Sequence, residues 1–128
     1  MKKAFLKSVA ALCFAFILLT VGSCHKEGIG GNASISGTVF HHEVAIPNCT
    51  VYIKFNTTEF PGDGPELYDS SIPADASGKF IFSRLYKGDY YLYGVGFDKN
   101  INAIVKGGVS IKLKHNKAYS QDVPVTED

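Results

Sequence analysis

Several groups of residues in this 128-residue chain are of types that can do chemistry. His41-His42 offers two imidazoles, which are ligands for transition metals. Neighbours on an extended strand point to opposite faces, so the pair shares an ion only if a loop bends it. No Cys or Asp cluster sits nearby, and His25 and His115 are far off in sequence, so His41 and His42 read as solvated loop histidines. Asp98-Lys-Asn100-Ile-Asn102 opens like a calcium loop and then departs from one. Ala103 stands where the loop needs glycine, and Val109 where it needs a bidentate glutamate. That stretch reads as a hairpin turn. Cys49 shares inward parity with Val51 and Ile53, which makes it a small core residue rather than a nucleophile or a bridge. Ser, His and Asp occur without a nucleophile elbow. The expectation is no catalytic residue, no metal and no cofactor.

The aromatics are the better binding candidates. Tyr91 and Tyr93 alternate with Tyr90 and Leu92, so they face the other side of their strand, and Tyr52 can share that side. Exposed tyrosines on a flat sheet can stack on sugar rings or anchor a protein. The plain alternatives are cross-strand pairs, or a second layer over that face. Phe60 sits in a long polar loop, 56–67, where a large apolar side chain suits binding. It can equally fold back over a sheet edge.

These residues need a frame, and the periodicity supplies strands. Apolar residues alternate over 33–40, 49–55, 68–72, 80–82, 90–95, 109–113 and 123–125, with a weaker run at 101–106. Pro and Gly punctuate at short intervals, and no long stretch has helical spacing. Short strands so spaced predict an all-β fold, a single sandwich over 33–127. The central stretch is Asp75 to Tyr93. Asp75-Ala-Ser-Gly78 is turn chemistry, Phe80 and Phe82 point inward, and Tyr90 and Leu92 resume the pattern. Gly37 lets the opening strand pass close to a neighbour.

Ahead of this body, residues 1–23 read as a signal peptide. Lys2, Lys3 and Lys7 precede a short apolar run, 9–19, below the roughly 20 residues that a spanning helix needs. Val21-Gly22-Ser23-Cys24 resembles the lipobox of bacterial lipoproteins, which implies diacylation of Cys24 and cleavage before it. Ordinary secretion and an uncleaved anchor are the alternatives. Two acyl chains meet the requirement for stable anchoring. Loss of the three lysines takes thirteen basic residues to ten against twelve acidic ones, a balance that excludes a nucleic-acid partner. Residues 24–32 read as a glycine-rich tether. Lys26-Glu27 is similar to the surface-export signal of Bacteroidetes lipoproteins, so an outer-membrane, surface-exposed address is expected.

The order Ile35-Ser-Gly-Thr-Val39, Ile46-Pro47, Val51-Tyr-Ile53, Asp75-x-x-Gly78-x-Phe80-x-Phe82-x-x-Leu85 and Gly88-x-Tyr90-x-Leu92 resembles the carboxypeptidase regulatory-like domain family. The resemblance covers about 34–125. It implies a Greek-key sandwich of about seven strands, transthyretin-like or immunoglobulin-like, and a non-catalytic binding or structural role. It also implies that Tyr90 is buried with its hydroxyl on nearby main chain. Hydroxyisourate hydrolases share the transthyretin-like fold but end in a Tyr-Arg-Gly-Ser signature, whereas this chain ends Val125-Thr-Glu-Asp128. The expected function is a lipid-anchored envelope module for a protein or carbohydrate partner. The alternatives are a pilus-like subunit pairing through an edge strand, or a small hydrolase using Glu59 and Glu66.

Overall fold

A computed structural model describes residues 28–128 of the chain. The expected signal peptide, 1–23, and the expected lipidation site Cys24 lie outside the described residues. Nine strands follow one another: β1 (Ile29–His41), β2 (Val44–Ala45), β3 (Thr50–Phe55), β4 (Ser70–Pro73), β5 (Lys79–Leu85), β6 (Gly88–Asp98), β7 (Ala103–Leu113), β8 (Ala118–Ser120) and β9 (Val123–Val125). A single 3-10 turn, Pro65–Leu67, interrupts the loop before β4.

The strands form two sheets. In the first, β1 runs antiparallel to β5 and β2 and parallel to β8 and β9. In the second, the order is β4-β3-β6-β7, antiparallel throughout. Their inner faces bury one core, so the chain is an all-β sandwich. The alternation places Ile35 and Val39 of β1, Val51 and Ile53 of β3, Phe80 and Phe82 of β5, and Tyr90 and Leu92 of β6 inside. Burial of each such aliphatic side chain stabilises the fold by about 1.5–3 kcal/mol. Cys49 is buried and its thiol donates to the Ile46 carbonyl at 3.3 Å. Burial pushes that thiol's pKa up, which suits a core residue.

Two main-chain devices hold the sandwich, the first between its layers and the second within the first sheet. The Tyr90 hydroxyl accepts from the Gly28 amide at 2.9 Å and donates to the Tyr86 carbonyl at 2.7 Å. Gly37 passes the 120–123 segment so closely that a Cβ there would lie 2.0 Å from the Gln121 carbonyl oxygen.

Three boundaries differ from the sequence-based expectation. Ile29 already pairs with Leu85, so residues 29–32 of the expected tether belong to β1. Register shifts between Ile29 and Ala33, and between Ala33 and Ile35, take up the glycines that made this stretch look flexible. The runs at 101–106 and 109–113 are one strand, because Gly107 and Gly108 pair with Gly94 and Tyr93 instead of breaking the ladder. The strands β2 and β8 have two and three residues, too short to show a period, so the count exceeds the seven expected.

Candidate functional site

The outer face of the second sheet gathers aromatic rings. Register sets Tyr52 of β3 directly opposite Tyr93 of β6, with ring centroids 6.5 Å apart. The 56–67 loop then folds back over them. Its tip brings Phe60 to 5.3 Å from Tyr93 and 5.9 Å from Tyr91. Tyr68, where the loop rejoins the sheet, stacks on Tyr93 at 5.6 Å with planes 9° apart, and lies 5.4 Å from Tyr52. The four aromatics singled out from sequence are thus brought together. Tyr68 was missed there, since it reads as the first residue of a strand.

The loop is held by polar contacts. Tyr93 donates to Asp63 at 2.6 Å, and Tyr68 donates to the Gly62 carbonyl at 2.8 Å. Lys106 of β7 lies 3.8 Å from Asp63 and 3.3 Å from Asp128, and so joins the loop to the segment after β9. The loop is a second layer, and it changes what the tyrosines offer. Tyr93 is only 3% exposed, while Phe60 remains 51% exposed. An open tyrosine platform is therefore not what the sheet presents.

What remains is a cleft of about 240 Å³ beside the covered face. Phe60, Tyr91 and Tyr93 line it, with Asp63, Lys106 and Asp128 at its polar side and Gly107-Gly108 as part of its wall. A Cβ at Gly108 would lie 2.5 Å from both the Tyr91 ring and the Leu92 carbonyl oxygen, so the glycine leaves room for that ring beside β7. Burial, first of all, raises the pKa of Tyr68, Tyr91 and Tyr93 above the ordinary phenol value. Larger hollows of about 480 and 510 Å³ lie beside Gly30, Tyr86 and Asn116, and beside Ile72, Asp75 and Phe80. Each has a single aromatic ring. Glu59 and Glu66 are exposed on the loop, without the burial that makes a carboxyl a catalytic acid.

The second polar centre contradicts the expectation for His41. That residue is not a solvated loop histidine. It ends β1, pairs with Val44 and Val125, and is 4% exposed. Its Nδ1 lies 2.6 Å from Asp98 Oδ2, and its Nε2 contacts Glu127 Oε2. The hydrogen bond to Asp98, chiefly, raises the His41 pKa. The same bond, helped by the Asn100 amide, lowers that of Asp98. Asp98 does open the expected β6–β7 hairpin turn, but as a buried partner of His41. His42 has the left-handed φ of 54°, which swings its ring to 4.4 Å from the His41 ring. This is the bend that two adjacent histidines need if they are to share a side.

No protein-family model and no curated protein matches the sequence. Two solved structures are similar to parts of this chain. One is a DUF3823 family protein from Parabacteroides merdae, 20% identical with a TM-score of 0.48, covering 77% of this chain and 47% of that one. This chain therefore spans about half that protein's length. Another, from Pseudomonas aeruginosa and provisionally assigned to carbohydrate binding, is 12% identical with a TM-score of 0.53, covering 77% of this chain and 91% of that one. At 12% identity this second likeness speaks for the fold alone.

Proposed function

We propose that this chain is a non-catalytic display module that binds carbohydrate in the cleft between the 56–67 loop and the outer face of the second sheet. The observation that carries the reading is the joining of aromatic surface to charged groups in one cleft: Phe60, Tyr91 and Tyr93 beside Asp63, Lys106 and Asp128. A sugar ring has an apolar C–H face and a rim of hydroxyls. Aromatic faces take the first, and charged side chains hydrogen-bond the second. The Pseudomonas aeruginosa neighbour's provisional assignment points to the same ligand class. In this reading the domain is of the carboxypeptidase regulatory-like kind. Cys24 carries a diacyl anchor that fixes the module to the cell envelope, and mass spectrometry of the mature chain tests for those acyl groups.

Affinity electrophoresis tests the cleft directly. The protein is run through gels containing a soluble β-glucan, a xylan or an α-mannan. At least one of these polysaccharides retards the wild type, and Phe60→Ala weakens that retardation by tenfold or more, as loss of a central aromatic anchor does with its ~2 kcal/mol. Free migration in all three gels sinks carbohydrate binding as read here. Retardation that survives the double change Phe60→Ala and Tyr91→Ala places it away from this cleft.

A further inference from the structure

A neutral imidazole donates through one ring nitrogen and accepts through the other. At His41 both nitrogens face carboxylate oxygens, those of Asp98 and Glu127. Asp98 is buried and already accepts from the Asn100 amide through its other oxygen, so it takes the Nδ1–H bond. The Nε2 lone pair then faces Glu127, acceptor against acceptor. A cation must join them: a proton at their present contact, or a metal ion once Glu127 draws back. A proton engages only these two groups. Yet His42 is folded back by its left-handed backbone until its ring nitrogen, His41 and Glu127 all offer ligand atoms within 4.8 Å of one another.

We propose that His41 Nε2, His42 and Glu127 form a binding site for a divalent transition-metal ion of the zinc class. Two imidazoles and one carboxylate are a ligand set that zinc accepts at about 2.0–2.2 Å, and three protein ligands leave a fourth position open. His42 and Glu127 are both exposed, so that position faces solvent. Asp98 is the positioning residue. It fixes the His41 tautomer from behind, as the carboxylates behind metal-bound histidines do. The charge balance fits as well, since two carboxylates around a neutral imidazole are offset by one divalent ion. Glu127 withdraws from its direct contact with His41 as the ion enters, a motion that its exposed side chain allows.

The test is calorimetric titration of the chelator-treated full-length chain with zinc sulfate, with cobalt(II) absorption as the reporter of ligand geometry. One ion binds per chain, and cobalt gives the intense visible bands of a four-coordinate site. Glu127→Gln and His42→Ala each weaken binding by at least about tenfold, and Asp98→Asn by about 10–100-fold, the range for a lost orienting partner. His42 and Glu127 are exposed, and circular dichroism of each variant confirms that its fold is kept. No heat of binding in the wild type overturns the proposal. So does zinc affinity left unchanged by His42→Ala or by Glu127→Gln, which would assign the ion to other groups such as His25 or His115.

Discussion

Replacing Tyr93 by Phe removes a single oxygen and leaves the ring stack in place. That oxygen donates to Asp63 at 2.6 Å and is a side-chain tie between β6 and the middle of the 56–67 loop, whose first residue is bonded to β6 through the Asn56 amide and the Asp89 carbonyl. A hydrogen bond to a charged acceptor contributes about 1.5–3 kcal/mol. Here the lower end applies. Asp63 is 66% exposed and keeps Lys106 at 3.8 Å, so water replaces the lost donor and no buried charge is stranded. About 1.5 kcal/mol taken from the closed loop raises its open population roughly tenfold, at 1.4 kcal/mol per decade. The opening is local, so hydrogen exchange is the assay. The amides of Leu67 and Tyr68, bonded to Gly64 and Pro65 carbonyls, report on the loop. In Tyr93→Phe they exchange about tenfold faster, while central amides such as Leu92 change by no more than the drop in global stability. Unchanged exchange at Leu67 and Tyr68 refutes the tie. Equal acceleration at Leu92 refutes its local character.

The other structural predictions are briefer. Tyr90→Phe removes the hydroxyl that accepts from the buried Gly28 amide and donates to the half-buried Tyr86 carbonyl, and lowers the free energy of urea unfolding by about 2–3 kcal/mol, more than Tyr93→Phe does. An equal or smaller loss removes Tyr90 as the pin between the layers. In alkali, Tyr68, Tyr91 and Tyr93 keep their protons where the unfolded chain releases its own near pH 10, because burial favours the neutral phenol. The stability this gives is full below that pH and is lost as pH rises through the folded-state values. Absorbance at 295 nm then shows Tyr68, Tyr91 and Tyr93 ionising only together with alkaline unfolding, and their reversible ionisation in the folded protein near pH 10 contradicts the buried cluster.

Parity made much of this legible. Period-two spacing placed Val51, Ile53, Phe80, Phe82, Tyr90 and Leu92 in the core, because side chains on a pleated strand have only two faces to choose from. The same rule set Tyr52, Tyr91 and Tyr93 on one outer face. It could not say that the loop would lie down on that face, since no period governs 56–67 and its tie runs over 30 residues to Tyr93. His41 was misjudged for a related reason. Its partners stand 57 and 86 residues away, and only strand pairing brings them together. The left-handed turn at His42 has no glycine to mark it, and few residues other than glycine take that conformation.

One short segment joins the two centres. After β9 leaves β1, Thr126 exchanges main-chain hydrogen bonds with Lys106 of β7 at 2.9 and 3.0 Å. The next residue, Glu127, turns to His41, and Asp128 reaches Lys106 at the wall of the aromatic cleft. Strand-like alternation makes this geometry natural, since adjacent residues serve opposite sides. An ion that holds Glu127 also restricts Asp128, and so orders one polar group of the cleft before a sugar arrives. Zinc then tightens polysaccharide binding by about fivefold, the low end of ordinary coupling between sites, and the sugar tightens zinc binding by the same factor. Affinity gels run with zinc and with chelator measure it, and Glu127→Gln removes the difference. Equal retardation under both conditions, with zinc binding confirmed by calorimetry, makes the two centres independent and leaves residues 126–128 as a structural closure of the sheet corner alone.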